Sequence, residues 1–168
     1  MTKRTKTIAF LGLCTSLALV FAYIEALIPP LFPSLPGIKM GLPNIIIIFL
    51  LYRYGPKVAI SVSFLRMVLV TFLFGNAMAF MYSLAGGFLS IALMILIKKS
   101  DLLSTVGVSV VGGVSHNIGQ IIVAIFVLDT TQIAFYLVVL AVSGVIAGVF
   151  IGLCGSVLIK KIPKRLPF

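Results

Sequence analysis

The sequence has no tryptophan, one histidine, two cysteines and three acidic residues among 168. Each shortage removes a class of chemistry. Asp101 and Asp129 fall at predicted loops and Glu25 is alone in an apolar run, so no paired carboxylates are available to hold magnesium against a diphosphate. One His and two Cys at unrelated depths cannot make a zinc site, and two Cys are too few for a disulfide scaffold. There is no glycine-rich phosphate loop ending in Gly-Lys-Ser/Thr, so any ATP hydrolysis must come from a partner. No metal or cofactor is implied, and the chain is not expected to be an enzyme. Charge is scarce too: 10% of residues are charged, against about 25% in an average soluble domain.

What is present is apolar: 61% hydrophobic residues and a mean hydropathy of +1.29 exclude a water-soluble monomer. The length suits one domain over 1–168, of the all-α polytopic membrane class, with lipid as its solvent. Six candidate spans run over about 8–28, 41–54, 56–74, 76–97, 104–128 and 131–159. The first is long enough to cross a hydrocarbon core of about 30 Å at 1.5 Å per residue. The second is the weak one: from Pro43 to Tyr54 it reaches only about 18 Å. It is therefore short, begins before Gly41, or is covered by protein.

The basic excess is 13 Lys and Arg against 3 acids, a net +10. In a soluble protein this would suggest nucleic acid, but here the charges sit at segment ends, where they set membrane orientation. With a cytoplasmic N-terminus, the inner side collects Lys3, Arg4, Lys6, Arg53, Lys57, Lys98, Lys99, Lys160, Lys161, Lys164 and Arg165. Only Lys39 falls outside, and Arg66 lies within the third span. The expected location is the cytoplasmic membrane, with both termini inside. The first apolar run is too long for a signal peptide, lacks a convincing cleavage site and is read as a retained helix. Pro29, Pro30, Pro33 and Pro36 stiffen the connection that follows. It is either a linker or a lid over an outward-facing pocket.

An ionisable residue within a span needs a partner or a water-filled cavity. Counted from the outer ends, Glu25 lies about 5 Å deep, Gln120 about 12 Å, Arg66 about 13 Å, and His116 and Asn117 about 17 Å. Asn44 and Asn76 enter near the outer surface, with Tyr82 about a turn and a half below Asn76. These eight residues concentrate in the outer half to middle of the membrane and suggest one polar pocket. The alternative is structural: a Glu25–Arg66 ion pair and interhelical hydrogen bonds from His116, Asn117 and Gln120. A pocket is preferred because Arg66 is deep, permanently charged and suited to bidentate capture of a carboxylate or phosphate.

Small residues form a second pattern. Ala18, Ala22 and Ala26 recur every fourth residue in the first span, and Gly144, Gly148 and Gly152 do so in the sixth. Such rows allow close helix contact where lipid supplies no hydrophobic drive. The Gly row suits packing within the chain. By spacing alone, the Ala row suits either packing in the bundle or docking of a separate membrane subunit. Gly86/Gly87 and Gly112/Gly113 give close contacts or kinks. Cys14 and Cys154 are read as small apolar packing residues.

Several stretches carry a family resemblance: Ala18-Leu-Val-Phe-Ala22, Gly37-Ile-Lys-Met-Gly-Leu-Pro-Asn44, Arg53-Tyr-Gly-Pro-Lys57 and Phe64-Leu-Arg66. With six spans in so short a chain, they resemble substrate-binding S-components of energy-coupling factor transporters. More narrowly, the chain resembles the Gx transporter family, labelled heptaprenyl diphosphate synthase component I. The resemblance implies a six-helix subunit that captures a scarce small molecule, commonly a vitamin or precursor, from outside. A membrane T-component with two cytoplasmic ATPases would then topple it to release cargo inward. It maps an alanine docking motif onto Ala18 and Ala22. No pattern for riboflavin, thiamine or biotin maps onto the chain. The prenyl-synthase label conflicts with the missing carboxylates if taken as an enzyme activity. A competing expectation is a non-catalytic membrane subunit supporting prenyl or quinone biosynthesis. An autonomous transporter would need inverted repeats, and spans one to three do not match spans four to six.

Overall fold

A computed structural model describes residues 2–28 and 40–162, apart from the side chain of Lys3. The proline-rich connection over 29–39, with Lys39, lies outside the described residues, as do Lys164 and Arg165. Among the described residues the fold is all helical. In chain order, α1 spans Lys3–Leu27, α2 Asn44–Arg53, α3 Pro56–Phe74, α4 Ala77–Ser100, α5 Thr105–Leu128 and α6 Tyr136–Lys161. A 3-10 turn over Thr131–Phe135 leads into α6. Five of these helices are long and apolar enough to cross a membrane, which makes this a multi-pass membrane protein. Phe72, Phe88, Phe126 and Phe135 are exposed on the outer surface, as side chains solvated by lipid would be.

Local chemistry sets the helix ends. The Thr2 hydroxyl accepts from the Thr5 N–H, so α1 begins five residues before the apolar run expected at Ile8. Gly55, at φ +91°, turns the chain so that Pro56 can open α3. Asn76 caps α4 by accepting from Ala79 N–H at 2.8 Å, and Ser104 caps α5 from Gly107 at 3.3 Å. Asp101 and Asp129 close α4 and α5 in the left-handed region, which Asp tolerates better than most residues.

The second expected span is the one that differs in kind. α2 has ten residues, and every one from Ile45 to Leu51 is buried. Its all-round apolar character comes from enclosure by α3, α6 and α1, not from contact with lipid. Of the options left open by the sequence, the helix is both short and covered by protein.

α4, α5 and α6 form a tight wall with α5 in the middle, while α1 packs on α3 and more lightly on α2. Glycine makes the wall possible. A methyl group at Gly148 would lie 2.6 Å from Val110 Cα, and one at Gly152 2.7 Å from Val106 Cα. Gly144 meets Gly113 backbone to backbone, so the row Gly144, Gly148 and Gly152 is the α6 side of the α5 contact. Across the other face of α5, a methyl at Gly86 would come 2.7 Å from the His116 carbonyl oxygen. The glycine pairs give close contacts.

Two of the cations read from the sequence as orientation signals have packing roles. Arg53 Nη2 donates to the Ile159 carbonyl near the end of α6. Lys98 Nζ donates to the Leu51 carbonyl near the end of α2 at 2.5 Å and lies 4.8 Å from the centre of the Tyr52 ring. Each satisfies a carbonyl in the last turn of a helix and complements its negative end. Cys14 is buried in the core and Cys154 half-buried, both as free thiols.

The backbone-to-backbone contact of α5 and α6 yields a stability prediction. Gly148→Val should destabilise the protein by about 1–3 kcal/mol, since the wall cannot absorb the side chain without moving. Gly12→Ala, which projects into open space on α1, should not lower stability. Thermal unfolding in detergent checks both.

Candidate functional site

At one end of the bundle α1, α3 and α5 finish while α2, α4 and α6 begin, and a cavity of about 270 Å³ lies between them. The other end carries Arg4, Lys6, Arg53, Lys57, Lys98, Lys99, Lys160 and Lys161. The cavity therefore sits at the end remote from the basic side chains.

Seven of the eight residues singled out in the spans line this cavity: Glu25 from α1, Asn44 from α2, Arg66 from α3, Asn76 capping α4, and His116, Asn117 and Gln120 from α5. Tyr82 is half-buried and does not line it. The face of α4 turned to the cavity runs through Asn76, Ala79 and Ser83, and Tyr82 stands about 100° around the helix from Ser83. Ser83 went unremarked in the sequence, although its spacing of seven from Asn76 was a signal for the same face. Thr71 also lines the cavity, but its hydroxyl donates to the Met67 carbonyl within α3 at 2.9 Å.

The polar residues divide by what already holds them. Asn76 caps its helix. The Asn117 amide donates to the Leu140 carbonyl of α6 at 2.5 Å, which ties α5 to α6 at the edge of the cavity. Glu25 Oε1 accepts the Gly41 N–H at 2.5 Å. Gly41 lies at φ +70°, and a methyl group there would press on Asn44 Nδ2 and Ile151 Cδ1 at 3.1 and 3.2 Å. Glu25 thus anchors the turn that leads into α2. The His116 ring lies against Gly86 of α4, at 3.0 Å from where a methyl would be.

Arg66 stands apart. Its Nε is buried and has no hydrogen-bond partner. The Glu25 charge acts on it, but among the described residues no ion pair within 4.0 Å joins the two. The internal pair considered from the sequence is therefore a separated one, with the carboxylate engaged by a backbone amide. The N-terminal ends of α2 and α4 also face the cavity and add positive partial charge. Among the described residues no cluster of three His, Cys, Asp or Glu side chains could hold a metal ion.

The three residues of the alanine row differ in burial. Ala18 has 0% of its surface accessible and belongs to the core around α2, while Ala22 and Ala26 line the cavity. Ala18 therefore packs inside the bundle, while Ala22 is half-buried and Ala26 exposed. Small size here makes room for α2 and for the cavity.

A family model described as heptaprenyl diphosphate synthase component I matches residues 14–158. The chain belongs to that family. No curated protein and no solved structure matches it. The family match takes in α2 through α5 whole, most of α1 and α6, and every residue lining the cavity. Membership in component I of a synthase agrees with a membrane subunit, and describes the chain as a component.

The division of polar residues makes a prediction. Asn117→Ala should destabilise the bundle by about 0.5–1.5 kcal/mol, because it removes the α5–α6 tie while the Leu140 carbonyl keeps the Ser143 hydroxyl at 2.8 Å. Gln120→Ala should stay within about 0.5 kcal/mol of wild type. Chemical denaturation in mixed micelles distinguishes the two.

Proposed function

We propose that this protein is a non-enzymatic membrane subunit that captures a small molecule in its end cavity, in the manner of an energy-coupling factor S-component. The observation that carries this reading is the convergence of seven polar residues from five helices on one cavity, where the guanidinium of Arg66 has a buried, unpartnered Nε. Polar and charged groups inside a lipid-embedded bundle mark ligand pathways by default, because burying them is otherwise unfavourable. The gathering of cations at the opposite end supports an orientation with the cavity outside and both termini in the cytoplasm.

In this scheme Arg66 binds an acidic group of the ligand, and Asn44, His116 and Gln120 supply hydrogen bonds. Phe74, Val70 and Ile151 provide apolar walls for an aromatic or isoprenoid portion. A vitamin, or a quinone or isoprenoid precursor, fits that chemistry. Energy for release would come from a membrane T-component with a pair of ATPases, since the chain has no phosphate loop. With Ala18 covered, that partner would engage another face of α1 or require α1 to move.

The words of the family description suggest a second reading, in which the chain is a non-catalytic subunit of a prenyl diphosphate synthase. Co-purification separates the two: a T-component and ATPases on one side, a soluble prenyl synthase on the other.

Arg66→Ala should reduce retention of the co-purifying ligand at least tenfold while leaving insertion and helix content unchanged. Native mass spectrometry and circular dichroism of the purified protein measure both. Undiminished retention would sink the cavity assignment.

A further inference from the structure

The arrangement of charge in the cavity constrains what can occupy it. Among the described residues its charged lining is Arg66 on α3 and Glu25 on α1, with no ion pair between them. A lone cation site would place the carboxylate elsewhere. A structural pair would close the distance. Here both charges face the same space of about 270 Å³, just below the roughly 300–1,000 Å³ usual for ligand pockets. A carboxylate accepts up to about four hydrogen bonds, and the Gly41 N–H occupies one position on Glu25.

We propose that Glu25 and Arg66 act together as a charge selector, so that the cavity takes a compact zwitterion: one singly charged acidic group at Arg66 and a protonated nitrogen at Glu25. This rests on the small-molecule capture described above and narrows its ligand. The electrostatics are direct. A zwitterion leaves the site neutral, with each ligand charge opposite its counterpart. A phosphomonoester already brings roughly −1.5 to −2 charges near neutral pH, and a diphosphate brings more. Among the described residues the only full positive charge facing that excess is one guanidinium, with a carboxylate in the same low-dielectric space, and charge left uncompensated in such surroundings is strongly disfavoured. The cavity therefore rejects diphosphates, including the head group that the family description names.

The test uses the full chain purified in detergent, as wild type, Glu25→Gln and Arg66→Gln. Glutamine at position 25 retains an oxygen to accept the Gly41 N–H, so the turn into α2 is kept while the charge is removed. Isothermal titration with inorganic pyrophosphate should show affinity at least tenfold higher for Glu25→Gln than for wild type, and none for Arg66→Gln. Native mass spectrometry of wild type should find a co-purifying compound with one acidic group and a basic nitrogen, absent from Arg66→Gln. Pyrophosphate binding to wild type as tightly as to Glu25→Gln, lost in Arg66→Gln, would overturn the charge selector and leave the cavity as the binding site. Retention of the same compound by all three proteins would overturn the cavity reading, and the selector with it.

Discussion

A guanidinium held among apolar helices is the constraint around which this bundle is organised. Arg66 occupies the middle of a 19-residue helix that otherwise satisfies every requirement of a lipid-spanning segment. Placing it there is unfavourable by a few kcal/mol on insertion scales unless water, a partner or a ligand compensates. The fold supplies a polar space at the level of this side chain, with amides, an imidazole and two helix N-termini turned toward it. The carboxylate that could have neutralised it directly is held by a backbone N–H instead.

Keeping such a space open demands rigidity elsewhere, and the two halves of the bundle divide that work. α4, α5 and α6 approach so closely that glycine is required at the crossing points, and close backbone packing replaces the hydrophobic drive that lipid cannot provide. The α5–α6 tie through Asn117 extends this wall to the edge of the cavity. α1 makes the lighter contacts and carries Glu25, so the anchored turn before α2 is fixed by a side chain from the less tightly packed part of the molecule.

Much of this was legible in the sequence because it follows from periodicity and charge. The five long helices, the gathering of basic residues at one end and seven of the cavity residues could be read from apolar runs and depth counting. What escaped depended on rotation and on neighbours. Tyr82 has the right depth but the wrong angle on α4, and Ser83 has the right angle but little polarity to attract notice. The Ala18 row has the same spacing whether it meets a partner or its own bundle, and spacing does not show that Ala18 is buried while Ala26 is exposed. Arg53 and Lys98 counted as orientation signals, yet their side chains reach carbonyls at the ends of α6 and α2, contacts between residues 106 and 47 positions apart in sequence. Family membership, shown over residues 14–158, matched the labelled family expected from the motifs.

The brevity of α2 carries one more implication. Ten residues rise about 15 Å, half the hydrocarbon thickness, and among the described residues the start of this helix lines the cavity. The hollow is deep because a sixth full-length rod is missing from it. Across relatives of this chain, the number of residues between the turn at Gly41 and the end of α2 would then act as a ruler, with each added turn raising the floor by about 5.4 Å and admitting a correspondingly shorter guest.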